Sequence, residues 1–146
     1  MAPVQPAVKL STAQTEDEES QPISDKSPRL CTSDSTFTAP TTFPTCESPL
    51  DYADSHAQVM SSIADLHITS YDYVFAKNNM VLLRYSAEGS HCGEPHNGVQ
   101  ASGRKANWTA AAIFELKDGK IKGFTKEWDK LNMWKQLGWM KGDEYV

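Results

Sequence analysis

The sequence predicts an α+β fold, in which a curved antiparallel sheet packs on helices and follows a disordered N-terminal arm. Three observations point there. Glycines at 89, 93, 98 and 103 punctuate a loop that strand-like apolar segments enter and leave. Asp118-Gly119 is a strong two-residue hairpin signal between two further β segments. Segments with helical spacing, 51–63 and 131–137, flank these strands.

The chain has 146 residues, which suits one domain. Residues 1–46 hold six of the eight prolines, the acidic run Glu16-Asp17-Glu18-Glu19, and only Phe37 and Phe43 as aromatics. Such a segment cannot bury enough apolar surface to offset the entropy of ordering, so a Pro/Ser/Thr-rich disordered arm is expected over 1–46. A regulatory or docking tail is the alternative, weakly hinted at by Ser27-Pro28 and Ser48-Pro49. The folded domain is expected over 47–146, which carries all four tryptophans.

Within that domain, Tyr52, Val59, Met60 and Ile63, with alanines at 53 and 57, mark a helix that starts near Ser48-Pro49 and Asp51. Residues 66–76 and 80–85 read as an antiparallel hairpin about Lys77-Asn78-Asn79. Residues 105–116 and 120–129 read as a second hairpin about Asp118-Gly119. A last helix over 131–137 stops at Gly138, a common helix-ending residue.

Charge and cysteine usage narrow the function. A net charge of −5 without a clustered basic face argues against nucleic acid and anionic membrane as partners. Lys117, Lys120, Lys122 and Lys126 are read as the solvated side of a hairpin. Three cysteines without CxxC spacing signal neither a disulfide framework nor a zinc ribbon. With no secretory signal pattern and no membrane-length apolar run, a cytoplasmic protein is expected. Asn107-Trp108-Thr109 fits a glycosylation sequon but falls in an expected strand.

Arg84, Gly89-Ser90-His91, Gly93, Gly98, Ser102-Gly103-Arg104, Asp118-Gly119-Lys120-Ile121, Asp129 and Gln136-Leu137-Gly138 follow one another in an order that resembles the SnoaL-like polyketide cyclases. These form a branch of the NTF2-like superfamily, and the resemblance runs from about residue 47 to the C-terminus. It implies a cone-shaped sheet around an apolar cavity. Members usually open with one or two long helices, whereas a single helix is expected here before the first strand. The cone is thus expected to be shortened, and either open on one side or closed by a second subunit or by the arm. A homodimer through the open face of the sheet is the implied assembly.

The resemblance also implies chemistry. A carboxylate removes a proton next to carbonyl groups and the enolate closes a ring, with no metal or organic cofactor. The substrate would be a small hydrophobic carbonyl compound, polyketide-like or terpenoid-derived. Asp129 falls at the position of the catalytic carboxylate and His91 at that of a polar cavity residue, so both are the catalytic candidates. An apolar pocket and oxyanion donors would lift the carboxylate towards a useful pKa and steady the intermediate.

Arg84, Tyr85, Trp108, Glu115, Glu127, Trp128 and Met133 are the candidate substrate contacts. Arg84 and Tyr85 point to opposite faces of their strand, so only one can enter the cavity. Glu115 and Glu127 could pair with Asp129, although such residues in hairpins are usually solvated. Gly123 and Thr125 stand where members usually carry Glu and Trp.

Each candidate also has a structural reading. Asp129 can cap the last helix, and His91 can anchor its loop. His91, Cys92, Glu94 and His96 fit no defined zinc spacing. His56 and His67 are read as structural. Beside the cyclase or isomerase stand a hydrolytic variant that opens an epoxide or lactone, and a non-catalytic small-molecule-binding or dimerisation module.

Overall fold

The computed structural model describes residues 29–140. Strand β1 (Cys31–Thr38) is followed by helix α1 (Pro49–Ser62), then by β2 (His67–Lys77), β3 (Met80–Ser90), β4 (Lys105–Lys117), β5 (Lys120–Trp128) and helix α2 (Lys130–Leu137). The five strands form one curved sheet in the order β1-β5-β4-β3-β2. All pairings are antiparallel except β1 with β5, which is parallel, so the sheet is mixed rather than purely antiparallel.

β1 corrects the expected boundary at residue 46. β5 without it would expose a row of unpaired backbone groups, and β1 covers that edge with Phe37 opposite Phe124. Phe37 is buried, stacked on Tyr52 at 4.7 Å and edge-on to Phe124 at 5.1 Å. Composition averaged over 46 residues hid a short strand with one phenylalanine inward. Residues 1–28 of the expected arm lie outside the described residues.

Local chemistry fixes the ends of α1 and the hairpins. Ser48 and Asp51 form a reciprocal capping box at the start of α1. Asp118 and Gly119 both take positive φ, the conformation a tight two-residue hairpin requires.

β5 ends opposite Ala110, so beyond it β4 keeps β3 on one side and has no strand on the other. Thr109 accepts instead from the Asp129 N–H at 3.0 Å. The Gln136 carboxamide takes both groups of Asn107, accepting from its N–H at 3.0 Å and donating to its carbonyl at 2.7 Å. This double bond to β4 gives the Gln136-Leu137-Gly138 motif its physical role: it docks α2. Behind it Met133, Leu137 and Trp139 bury against Ala106, Trp108, Ala87 and Ile63.

The glycine-punctuated loop is docked just as tightly. Gly93 and Glu94 donate to the last carbonyls of α1, on Ser62 and Ser61, and a Cβ on Gly93 would collide with the Ser61 carbonyl. Asp65 accepts from the N–H and the hydroxyl of Ser90, each at 2.6 Å.

Candidate functional site

Strand alternation decides which side chains face the helices. Val81, Tyr85 and Ala87 of β3 share that face with Ala106, Trp108, Ala110 and Ala112 of β4 and, across the register, with Phe124, Lys126 and Trp128 of β5. Ala112 opposes Lys126 and Ala110 stands between Tyr85 and Trp128, so small residues at the sheet centre leave room for large ones beside them.

Lys126 is therefore only 5% exposed, which corrects its reading as a solvated hairpin lysine. Its Nζ donates to the Tyr52 hydroxyl at 2.7 Å and lies 5.0, 5.4 and 6.0 Å from the ring centres of Tyr52, Trp128 and Tyr85. Among the described residues no carboxylate pairs with it. Burial pushes its ammonium down to about 8.

His56, one helical turn after Tyr52, stacks on the Tyr52 ring at 5.5 Å. Burial, and then the nearby Lys126 charge, push the imidazole down to about 4. Burial raises the Tyr52 hydroxyl far above the usual phenol range and pushes Tyr85 up to about 12. The interior thus holds two phenols that keep their protons, an imidazole that stays neutral and an amine close to losing its proton. Such a concentration of perturbed groups marks a functional-site candidate.

A cleft of about 370 Å³ opens beside this cluster, with Phe43, Ser55, His96, Trp128, Lys130 and Trp134 in its walls. Trp128 belongs to both cleft and cluster. Phe43 stacks on Trp128 at 6.0 Å and meets Tyr52 edge-on at 5.4 Å. Trp128 Nε1 and Thr42 Oγ1 are buried without a hydrogen-bond partner among the described residues. Each could take a polar group of a ligand after a small displacement of the wall.

The other residues expected at the site scatter. Arg84 lies on the opposite face, where Nη1 donates to Asp72 at 2.6 Å. Of the pair, then, Tyr85 is the one turned inward. Glu115 and Glu127 are exposed on that same outer face, and Glu115 pairs with Lys122 at 3.5 Å. Alternation removes all three from the interior. Trp108 and Met133 face inward but sit in the packed core under α2.

Asp129 is exposed at the junction of β5 and α2, with its carboxylate accepting from the Asn132 N–H at 3.2 Å as a helix cap. Its neighbours Trp128 and Lys130 line the cleft. His91 is fully buried, and both ring nitrogens are engaged: Nε2 with the Glu94 carbonyl at 2.9 Å and Nδ1 with the Trp139 indole N–H at 3.1 Å. The indole must donate, so Nδ1 accepts and Nε2 carries the proton. His96 stacks on Trp139 at 3.7 Å.

The sequence profile of the SnoaL-like polyketide cyclases matches residues 20–137. The chain belongs to that family. No curated protein matches it in sequence. Among solved structures, a polyketide-cyclase candidate from Acidithiobacillus ferrooxidans superposes with a TM-score of 0.74 at 17% identity, covering 97% of this chain and 100% of the other. IdmH of Streptomyces antibioticus gives 0.72 at 18% identity over 92% and 99%. TsrD of Streptomyces laurentii gives 0.66 at 19% identity over 94% and 96%. At such identities these likenesses establish the shared SnoaL-like fold.

Three residues of the site, Tyr52, His56 and Lys126, were not singled out for it by the sequence reading. One signal was present. Lys126 alternates with Phe124 and Trp128, and a lysine between two aromatics on one strand face is placed for burial.

Proposed function

We propose that this SnoaL-like protein is a cofactor-independent cyclase or isomerase that works by acid-base chemistry on a polyketide-like or terpenoid-derived carbonyl compound. The observation that carries the reading is the amine–phenol pair of Lys126 and Tyr52, enclosed by aromatic rings beside the cleft. A carbonyl oxygen brought to this pair meets two proton donors in a water-poor setting, where they stabilise developing negative charge far better than in solvent. The flat rings of Trp128, Phe43 and Tyr85 suit an unsaturated or polycyclic substrate.

Asp129 is the carboxylate that family position offers as the base, at the end of the strand that carries Lys126 and Trp128. Turnover of a polycyclic β-ketoester by Lys126→Met and Asp129→Asn tests the reading. Loss by orders of magnitude in both variants, with the fold retained, supports it. Wild-type rates from Asp129→Asn remove Asp129 as the base, wild-type rates from both variants remove this cluster as the seat of catalysis, and no turnover by the wild-type protein removes the enzyme reading.

A second reading, a non-catalytic small-molecule-binding module, is favoured by the exposed, helix-capping Asp129 and by His91, whose ring nitrogens are both taken. It predicts ligand-induced stabilisation without turnover. In either case a second copy of the chain is the proposed partner. It would cover the sheet's outer face, where Tyr73, Phe75, Leu82 and Ile113 are exposed.

A further inference from the structure

Lys126 is set apart from the other lysines of the sheet by its surroundings. β5 carries it inward between Phe124 and Trp128, α1 places the Tyr52 hydroxyl at 2.7 Å, and β3 brings the Tyr85 ring to 6.0 Å. Lys117, Lys120 and Lys122 stand on the same hairpin, the first two exposed and the last half-buried and paired with Glu115. The titratable groups around Lys126 are Tyr52 and His56 from α1, Tyr85 from β3, and Cys46, close enough to Tyr52 to act on it electrostatically. None of these is a carboxylate that would hold the amine in its charged form.

An amine so placed differs from an ordinary lysine in the way that matters for nucleophilic chemistry. With burial holding it near 8 rather than 10.5, it has on the order of a hundredfold more free base at neutral pH. The phenol beside it keeps its own proton, because burial raises rather than lowers its pKa. An uncharged amine next to a protonated hydroxyl is the pairing that carbonyl condensation requires: one group attacks carbon while the other delivers a proton to oxygen.

We propose that Lys126 is a nucleophile that condenses with β-dicarbonyl compounds to form a covalent enaminone, with Tyr52 as the proton-transfer partner. The nitrogen lone pair forms a C–N bond to one carbonyl carbon while the C=O π pair moves to oxygen, which takes the Tyr52 proton. The nitrogen, now carrying an extra proton, returns it to the Tyr52 oxygen, which restores the phenol and gives a neutral carbinolamine. The hydroxyl then leaves as water with the Tyr52 proton while the nitrogen lone pair forms a C=N bond, and the carbon between the two carbonyl positions gives its proton to the Tyr52 oxygen, which restores the phenol and leaves the conjugated C=C–N system. The sum is amine plus diketone giving enaminone plus water, with no change of oxidation state.

The proposal deepens the reading of the interior as a site for carbonyl compounds and rests on it. It names the substrate class, since repeated β-dicarbonyl units are the groups that would react. The route in is the shared wall. Trp128 lines the cleft and stands 5.4 Å from the amine, while Phe43 stacks on Trp128, so displacement of that ring pair joins cleft to amine.

The test is incubation of the full chain with acetylacetone at neutral pH, read by enaminone absorbance and by peptide mapping. A thermal shift with the same compound is measured in parallel. The expected result is one adduct per chain, with the mass of the diketone less one water, on Lys126, forming at least tenfold faster than on any other lysine. It is lost in Lys126→Met, and in the wild type its rate rises with pH up to about 8.

Mapping the wild-type chain needs no variant, so misfolding of Lys126→Met cannot decide the outcome. Thermal stabilisation by acetylacetone without an adduct on Lys126 overturns the covalent proposal and leaves the carbonyl-binding reading standing. Neither stabilisation nor adduct overturns both. Adducts spread evenly over the surface lysines also overturn the proposal, because the site would confer no special reactivity.

Discussion

Lys126 on β5 donates through its Nζ to the Tyr52 hydroxyl on α1 at 2.7 Å, which joins strand to helix across 74 residues of sequence. Tyr52→Phe removes the only hydrogen-bond acceptor that the described residues give this buried amine. The expected cost at neutral pH is about 1–3 kcal/mol in chemical denaturation, as for a buried charged donor left unpaired. Between about 8 and 10.5 the unfolded chain holds the lysine proton that the folded chain has released. Stability therefore rises with pH across that window, and the deficit of the variant narrows above 8 as the amine becomes uncharged. A deficit independent of pH would mean that the pair contributes packing alone.

His56 predicts a loss of stability on mild acidification. Its folded-state pKa, about 4, lies below the ordinary 6.5, so between those values the unfolded chain binds a proton that the folded chain does not. The stabilisation is present in full above 6.5 and is lost as pH falls towards 4, by up to about 3 kcal/mol for the whole shift. His96 is shifted the same way by burial and adds to the slope. Hydrogen bonds hold the carboxylates of Asp34, Asp51, Asp65 and Asp72 below the ordinary 3.8, so they titrate mainly below this window. Denaturation curves of wild type and His56→Gln from pH 7 to 4 should converge as pH falls; parallel curves would place His56 in water.

Asp129 caps α2 whatever its part in chemistry. Asp129→Ala leaves the Asn132 N–H without its acceptor and should cost about 1 kcal/mol, whereas Asp129→Asn keeps a capping oxygen and should cost a few tenths. Thermal melts read this directly. The separation lets a change in turnover by Asp129→Asn be attributed to lost basicity rather than to a loosened helix.

The hairpins and helices were legible because their signals are local. Asp118-Gly119 imposes its turn whatever lies around it, and Ser48 with Asp51 caps a helix from within four residues. β1 was not legible, because Phe37 acquires its burial only from Phe124 and Tyr52, which lie far along the chain. The site divides in the same way. Tyr85 and Trp128 follow from strand alternation, and Lys126 would have followed from it too had its charge not been read as exposure. Tyr52 and His56 reach the amine only once α1 lies against β5, a tertiary fact. His91 carries the family motif, yet its two hydrogen bonds run to Glu94 and Trp139, and the second is 48 residues away.

Gly93 should tolerate no side chain. A Cβ there would run into the Ser61 carbonyl, a backbone atom at the end of α1 that cannot swing aside. Gly93→Ala should therefore cost about 1–3 kcal/mol, the usual penalty of overpacking, through loss of the loop's bonds to Ser61 and Ser62. Because His91 is held from the same loop, the quenching or shift of Trp139 fluorescence should change with it. A variant with wild-type stability would show that the loop can leave the helix end at no cost.

Phe75, Leu82 and Ile113 face one another across β2, β3 and β4, and Tyr73 stacks beside Phe75 at 6.5 Å. All four are exposed, Phe75 at 52% and Tyr73 at 58%. Single exposed apolar side chains are ordinary on a protein surface, but a contiguous row across three strands is the kind of patch that a partner covers. A two-fold assembly would place the same row on both copies, apolar against apolar, with Arg84 and Asp72 at its edge. Light scattering at micromolar concentration should then give the mass of two chains, and Leu82→Lys should give the mass of one. The charge would meet its own copy across the axis, while the folded monomer should lose little stability, because Leu82 is already 37% exposed. A wild-type mass of one chain across that range would leave the row as bare surface and remove the dimer.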